Sequence, residues 1–112
     1  MSQITTHILD TSIGKPAAGV EIELQQSLND NWKPVAKGVT NSDGRVSDLL
    51  ATDKILERGI YRLVFETKPY FLKKNIQTFY PRITIEFEIS DASHYHVPVL
   101  LNPFGYSTYR GS

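Results

Sequence analysis

The sequence predicts an all-β domain, a sandwich or small barrel of eight short strands with one short helix. Three observations predict it. Apolar and polar residues alternate through most of the chain, the period of a strand with one buried face. Gly, Pro, Asn, Asp and Ser interrupt that alternation at short intervals. One stretch alone, residues 69–77, follows a roughly helical period.

The elements follow in order. Ile4–Asp10 is a first strand, with Ile4, Thr6 and Ile8 on one face and Thr5, His7 and Leu9 on the other. Thr11–Pro16 is a loop with both punctuating residues, Gly14 and Pro16. In the second strand Val20, Ile22 and Leu24 alternate with Glu21, Glu23 and Gln25. Asn29–Asn31 turns into a third strand, Trp32–Thr40, whose Pro34 predicts an edge position. Asn41-Ser42-Asp43-Gly44 is a strong turn, and Arg45–Leu49 leaves it as a short fourth strand. Ala51–Gly59 reads as a loop or a single helical turn. Ile60–Lys68 is a fifth strand with Tyr61, Leu63 and Phe65 inside. Pro69–Gln77 holds the helix, with Pro69 suited to its first turn. Ile83–Ile89 is a clean sixth strand, and the turn Ser90–Ser93 leads to a seventh, His94–Leu101. Asn102-Pro103-Phe104-Gly105 is a tight turn into an eighth strand that closes the chain.

Composition narrows the function. The 112 residues suit one domain, residues 1–112, with 40% apolar content. Twelve basic and twelve acidic residues give zero formal charge, with no basic block, so nucleic acid and anionic membranes are not expected partners. There is no Cys, which excludes disulfides, thiolate catalysis and Cys-ligated zinc. Met1–His7 has neither a basic start nor an apolar stretch. A cytoplasmic protein is expected, although the mature form of an exported one looks the same.

The two outward surfaces differ. The second, fifth and sixth strands send out Glu21, Glu23, Arg62, Glu66, Glu86 and Glu88, a solvated face. The first, seventh and eighth send out Thr5, His7, Leu9, His94, His96, Pro98, Leu100, Ser107 and Tyr109. The second face is nearly free of carboxylates and too apolar for bulk water, the mark of an interface or ligand site. His7 and His96 on it are read either as interface histidines or as general bases near neutral pH. His7, His94 and His96 also form a possible three-His zinc set, against which stands the lack of a carboxylate to orient them. Spacing alone makes Arg45 and Arg110 solvated residues beside turns. No nucleophile elbow, phosphate loop or dinucleotide fingerprint is present.

The motifs converge on a family. His7-Ile8-Leu9-Asp10 with Gly14-Lys15-Pro16-Ala17, Ser42-Asp43-Gly44-Arg45, Phe79-Tyr80-Pro81, His94-Tyr95-His96-Val97-Pro98, Asn102–Thr108 and the terminal Tyr109-Arg110-Gly111-Ser112 occur in order. Together they resemble the transthyretin-like family, in its enzymatic branch, the 5-hydroxyisourate hydrolases of urate degradation. The resemblance implies a sandwich of two four-stranded sheets and a homotetramer with sites between dimers. It implies hydrolysis of 5-hydroxyisourate to 2-oxo-4-hydroxy-4-carboxy-5-ureidoimidazoline, with no metal or organic cofactor. His7, Arg45, His96 and Ser112 become the expected catalytic residues. His7, Arg45, Tyr109, Arg110 and Gly111 become the expected substrate-binding residues. Two alternatives stay open: a non-catalytic transthyretin-type module for a flat ligand, and a zinc hydrolase using His7, His94 and His96. The hormone-binding branch lacks the two histidines, the Arg and the terminal motif, all present here.

Overall fold

Nine strands and one helix make up the computed structural model, which describes residues 1–112. They are β1 (Ile4–Asp10), β2 (Lys15–Pro16), β3 (Glu21–Leu28), β4 (Asn31–Val39), β5 (Arg45–Val46), β6 (Gly59–Glu66), α1 (Thr67–Leu72), β7 (Ile83–Ile89), β8 (Tyr95–Asn102) and β9 (Gly105–Thr108). One sheet has the order β4-β3-β6-β7, all antiparallel. The other has the order β2-β1-β8-β9, with β5 also paired to β1. The β1–β8 ladder is parallel, the remaining ones antiparallel.

The sandwich is as expected, but the second sheet has five members rather than four. β1 shares one edge between two short partners: β5 at Thr6 and His7, β2 at Leu9 and Asp10. Lys15–Pro16, read from sequence as loop, is one of them. The fourth strand pairs only over Arg45–Val46, because the chain then turns to lay Leu49 and Leu50 over the end of the core. Residues 51–58 form no helix. They are tied down by the N-terminus: Leu50 N–H donates to Ser2 Oγ at 3.0 Å and Leu56 N–H to Gln3 Oε1 at 2.9 Å.

Alternation decides the core. Ile4 and Ile8 from β1, Ile22 and Leu24 from β3, Tyr61, Leu63 and Phe65 from β6 and Val97, Val99 and Leu101 from β8 are all buried between the sheets. Burying each such side chain contributes about 1.5–3 kcal/mol. Pro34 sits on edge strand β4, at the register shift opposite Leu24 and Gln25, where its missing N–H breaks no inner ladder.

The helix starts two residues earlier than expected and ends sooner. Thr67 opens it, so Pro69 lies in the first turn, where its lack of an N–H costs nothing. It ends because Asn75 adopts a left-handed φ of 57°. Asn75 N–H then donates to Leu72 O and Ile76 N–H to Phe71 O, both at 3.0 Å, a Schellman-type exit. Tyr70 and Phe71 face the core. The Tyr70 hydroxyl donates to Asp10 Oδ2 at 2.7 Å, and Ser12 N–H donates to Asp10 Oδ1 at 3.0 Å. Asp10 is fully buried, so these bonds replace the water it has lost.

Asp10→Ala leaves the buried Tyr70 hydroxyl unpaired and should cost about 1–3 kcal/mol in urea unfolding. Adding Tyr70→Phe to Asp10→Ala should cost less than the sum of the two single changes. Additive losses would show that the pair does not tie α1 to β1.

Candidate active site

The site is built on β1 and its two neighbours. In β1 the even positions Ile4, Thr6 and Ile8 point into the core, which turns Thr5, His7 and Leu9 outward. On the free edge of β1, His7 pairs with Arg45 of β5. The turn before Arg45 makes that pairing possible. Asn41 Oδ1 accepts from the N–H groups of Asp43 at 2.9 Å and Arg45 at 3.0 Å, an Asx arrangement. Gly44 has φ of 72° and packs so closely that a Cβ there would lie 2.5 Å from Ile8 O. Ile8 N–H in turn donates to Gly44 O at 2.8 Å. Only glycine meets both demands, the left-handed φ and the close approach.

On the other edge of β1, the parallel ladder sets Thr5 beside His96 and His7 beside Pro98. Thr5 Oγ1 lies 2.8 Å from His96 Nδ1 and 2.8 Å from His94 Nε2. The two imidazoles stack with centroids 6.3 Å apart. His94 is exposed, whereas His96 is half-buried and Thr5 nearly buried.

The terminal segment reaches the same place from the far side of β8. β8 and β9 pair Val99 with Thr108 and Leu100 with Ser107, and Gly111 bridges to His96 in the same register. Gly111 N–H donates to His96 O at 2.9 Å. A Cβ on Gly111 would lie 2.5 Å from His96 Cδ2 and 3.1 Å from Pro98 Cγ. Glycine is required here by the imidazole that crosses it, not by its φ. Alternation along this register puts Ser107, Tyr109 and Gly111 on the histidine side and Arg110 on the other. The Arg110 guanidinium accordingly stacks 4.4 Å over the Tyr95 ring and reaches Ser93 Oγ and His94 O, each at 3.5 Å. His7, Arg45, His96, Tyr109 and Gly111 therefore share one face, and Arg110 is turned away from it. Ser112 follows Gly111 and is exposed.

Both site histidines favour the neutral imidazole. Burial, then the Arg45 charge, lowers the pKa of His7, while the backbone and carboxylate of Asp43 work the other way. Burial lowers the pKa of His96 as well, helped by His94, Arg45 and His7, with Thr5 opposing. A neutral imidazole near pH 7 is a base ready to accept a proton.

The residues do not suit a metal. No group of three His, Asp or Glu side chains is arranged to hold one. Thr5 engages one ring nitrogen of each of His94 and His96. A hollow of about 900 Å³ lies elsewhere, on the outer face of β3, β4, β6 and β7. Its lining is occupied with itself: Lys37 pairs with Glu23 at 3.6 Å, Arg82 with Glu66 at 3.1 Å, and Arg62 Nε donates to Gln25 Oε1 at 2.6 Å. The histidine face is instead a sheet surface with no cover in a single chain.

Residues 4–111 match the model of the HIUase/Transthyretin family. The chain belongs to this family. Among its relatives, a 5-hydroxyisourate hydrolase of Salmonella dublin is 47% identical over 97% of this chain and 80% of its own. The structure of Klebsiella pneumoniae 5-hydroxyisourate hydrolase superposes with a TM-score of 0.86 at 39% identity, covering 97% of this chain and 98% of that one. Sea bream transthyretin in complex with thyroxine superposes with a TM-score of 0.91 at 29% identity, covering 98% and 95%. Backbone shape therefore does not separate the two branches of the HIUase/Transthyretin family; side chains must.

Two contributors escaped the sequence reading. Alternation predicts the face of Thr5 but not its role, because a Thr in an alternating strand carries no signal of what it touches. For Asp10 a signal exists: alternation puts it with Ile4, Thr6 and Ile8, and a carboxylate at a core position is unusual.

The lowered pKa values have a signed consequence for stability. The unfolded chain, with histidines near 6.5, binds protons that the folded His7 and His96 resist. Their contribution is complete above pH 6.5 and is lost as pH falls through the folded values. The urea midpoint should drop between pH 7.5 and 5.5, about as far as the histidine range extends. His7→Gln with His96→Gln should flatten that drop; an unchanged slope would assign it to other groups.

Proposed function

We propose that this face hydrolyses the cyclic amide C–N bond of 5-hydroxyisourate, opening the six-membered ring to 2-oxo-4-hydroxy-4-carboxy-5-ureidoimidazoline. One observation carries the reading. His7, Arg45 and His96, from three different strands, meet on a face whose one nearby carboxylate is Asp43, with both imidazoles favouring the neutral form. The hydrolase relatives over nearly the whole chain support it.

The chemistry needs an activated water, a polarised carbonyl and a held ring. His96 has Nδ1 engaged by Thr5 and no partner within the chain for Nε2, so Nε2 takes the proton from water. His7 positions that water from the neighbouring strand. The Arg45 fork of donors binds the substrate carbonyl and stabilises the oxyanion that forms on it. Tyr109 packs on the ring, Gly111 lets substrate approach His96, and Ser112 hydrogen-bonds the substrate. Arg110, stacked on Tyr95, shapes the terminal segment rather than touching the ring. No metal or organic cofactor enters.

The working form is a homotetramer with the sites between dimers. Two features support it. β7 and β9 end their sheets with unpaired edges, open to the same strands of a second copy. The histidine face carries the half-buried Leu9 and the exposed Leu100 and Tyr109.

5-Hydroxyisourate generated in the cuvette from urate and urate oxidase should decay faster with this protein, and chelator should not slow it. His96→Ala should lose roughly 10²–10⁴-fold in kcat. Arg45→Ala should lose roughly 10²–10³-fold. Decay at the spontaneous rate with wild type would move the protein to the ligand-binding reading. A monomer at all concentrations in sedimentation would sink the shared cleft.

A further inference from the structure

The geometry points to a proton relay, His96–Thr5–His94, that moves the proton taken at the site onto an exposed imidazole and returns it within the same turnover. This rests on His96 being the base. Thr5 Oγ1 is 2.8 Å from both His96 Nδ1 and His94 Nε2. A hydroxyl has one proton to give and two lone pairs to receive with. It therefore donates to one ring and accepts from the other, and reversing it exchanges the tautomers of both.

In the resting arrangement His96 Nδ1–H donates to Thr5, and Thr5 O–H donates to His94 Nε2. His96 Nε2 then presents a lone pair to water. When water gives its proton to Nε2, the Nδ1 proton passes to Thr5 and the Thr5 proton passes to His94 Nε2. His96 is neutral again, now with its proton on Nε2, and the positive charge is on His94. Donation from Nε2 to the leaving nitrogen draws the two protons back along the same path. One proton is taken and one returned, and the three groups end as they began.

The surroundings give the transfer its direction. His96 is faced by Arg45 from β5, by His7 from β1 and by His94 from its own strand, all of which oppose a charge there. Gly111 approaches from the terminal segment without a charge. His94 is exposed, so water solvates its imidazolium. The Arg110 guanidinium lies at the His94 carbonyl, 3.5 Å away, not at its ring. Asp91, in the turn before His94, is taken up by Ser93 and Tyr95. Thr5 and His94 are thus positioning residues that act through His96.

Three variants test this by kcat, KM and the pH dependence of kcat. Thr5→Val keeps the shape and removes the hydroxyl. It should lower kcat about 10- to 100-fold with KM little changed. Thr5→Ser should restore kcat to within about threefold of wild type, since the hydroxyl is the group that matters. His94→Phe leaves the Thr5–His96 bond intact and breaks only the far end. It should lower kcat about tenfold and shift the acid limb of the pH profile. Because His94 is exposed, that variant should fold even if a Thr5 variant does not. Wild-type kcat and pH profile in His94→Phe would overturn the relay and leave Thr5 as a simple clamp. Wild-type values in Thr5→Val would overturn both roles. Full activity in His96→Ala would instead overturn the underlying assignment of the base.

Discussion

The parallel pairing of β1 with β8 is the constraint on which the rest depends. It joins residues 4–10 to residues 95–101, the two ends of the chain. Every other ladder joins strands antiparallel, most of them near neighbours in sequence. Closing so long a loop costs entropy, and the reward is the continuous buried surface of Ile4, Ile8, Val97, Val99 and Leu101. Thr6 locks the register by donating its hydroxyl to Val97 O at 2.6 Å. A slip of β1 by one residue would turn Thr5 and His7 into the core and Ile4, Thr6 and Ile8 out to solvent. The same burial that holds the sandwich together therefore aims the site.

The two sheets divide the labour by charge. Glu and Lys or Arg residues on the outer face of β3, β4, β6 and β7 neutralise one another in the open. Such exposed pairs contribute little to stability, about 0–1 kcal/mol each. The other outer face keeps its carboxylates away, and that omission matters more. A carboxylate beside His7 or His96 would raise its pKa and hold it protonated. Burial and Arg45 push the other way. The one carboxylate close by, Asp43, belongs to the turn that delivers Arg45 and only partly offsets it.

Much of this was legible in the residues themselves. Alternation in β1, β3, β6, β7 and β8 announced which side chains are buried, because a strand has no choice about where successive side chains point. Asn41-Ser42-Asp43-Gly44 announced a turn, and Gly44 is the glycine that both φ and the Ile8 carbonyl demand. The helix was visible but misplaced by two residues at its start, since Thr67 and Lys68 suit a strand end as well as a first helical turn. β2 was invisible, because two residues of ladder leave no periodic trace. Arg110 shows the limit most clearly. It sits in the terminal motif between Tyr109 and Gly111, yet strand alternation sends it to Tyr95.

The sequence by itself determined the all-β class, the core, the uncharged histidine face and the family, because these follow from local period, turn chemistry and ordered motifs. Tertiary structure alone decided which residues meet. That Thr5 holds both His94 and His96, that Arg45 lies beside His7, and that Gly111 must lack a side chain where His96 crosses it are contacts between different strands, the Thr5 pair joining residues 89 and 91 apart in the chain. No local pattern encodes them. They exist because burying one face of each strand leaves a single register in which all the apolar side chains are covered at once.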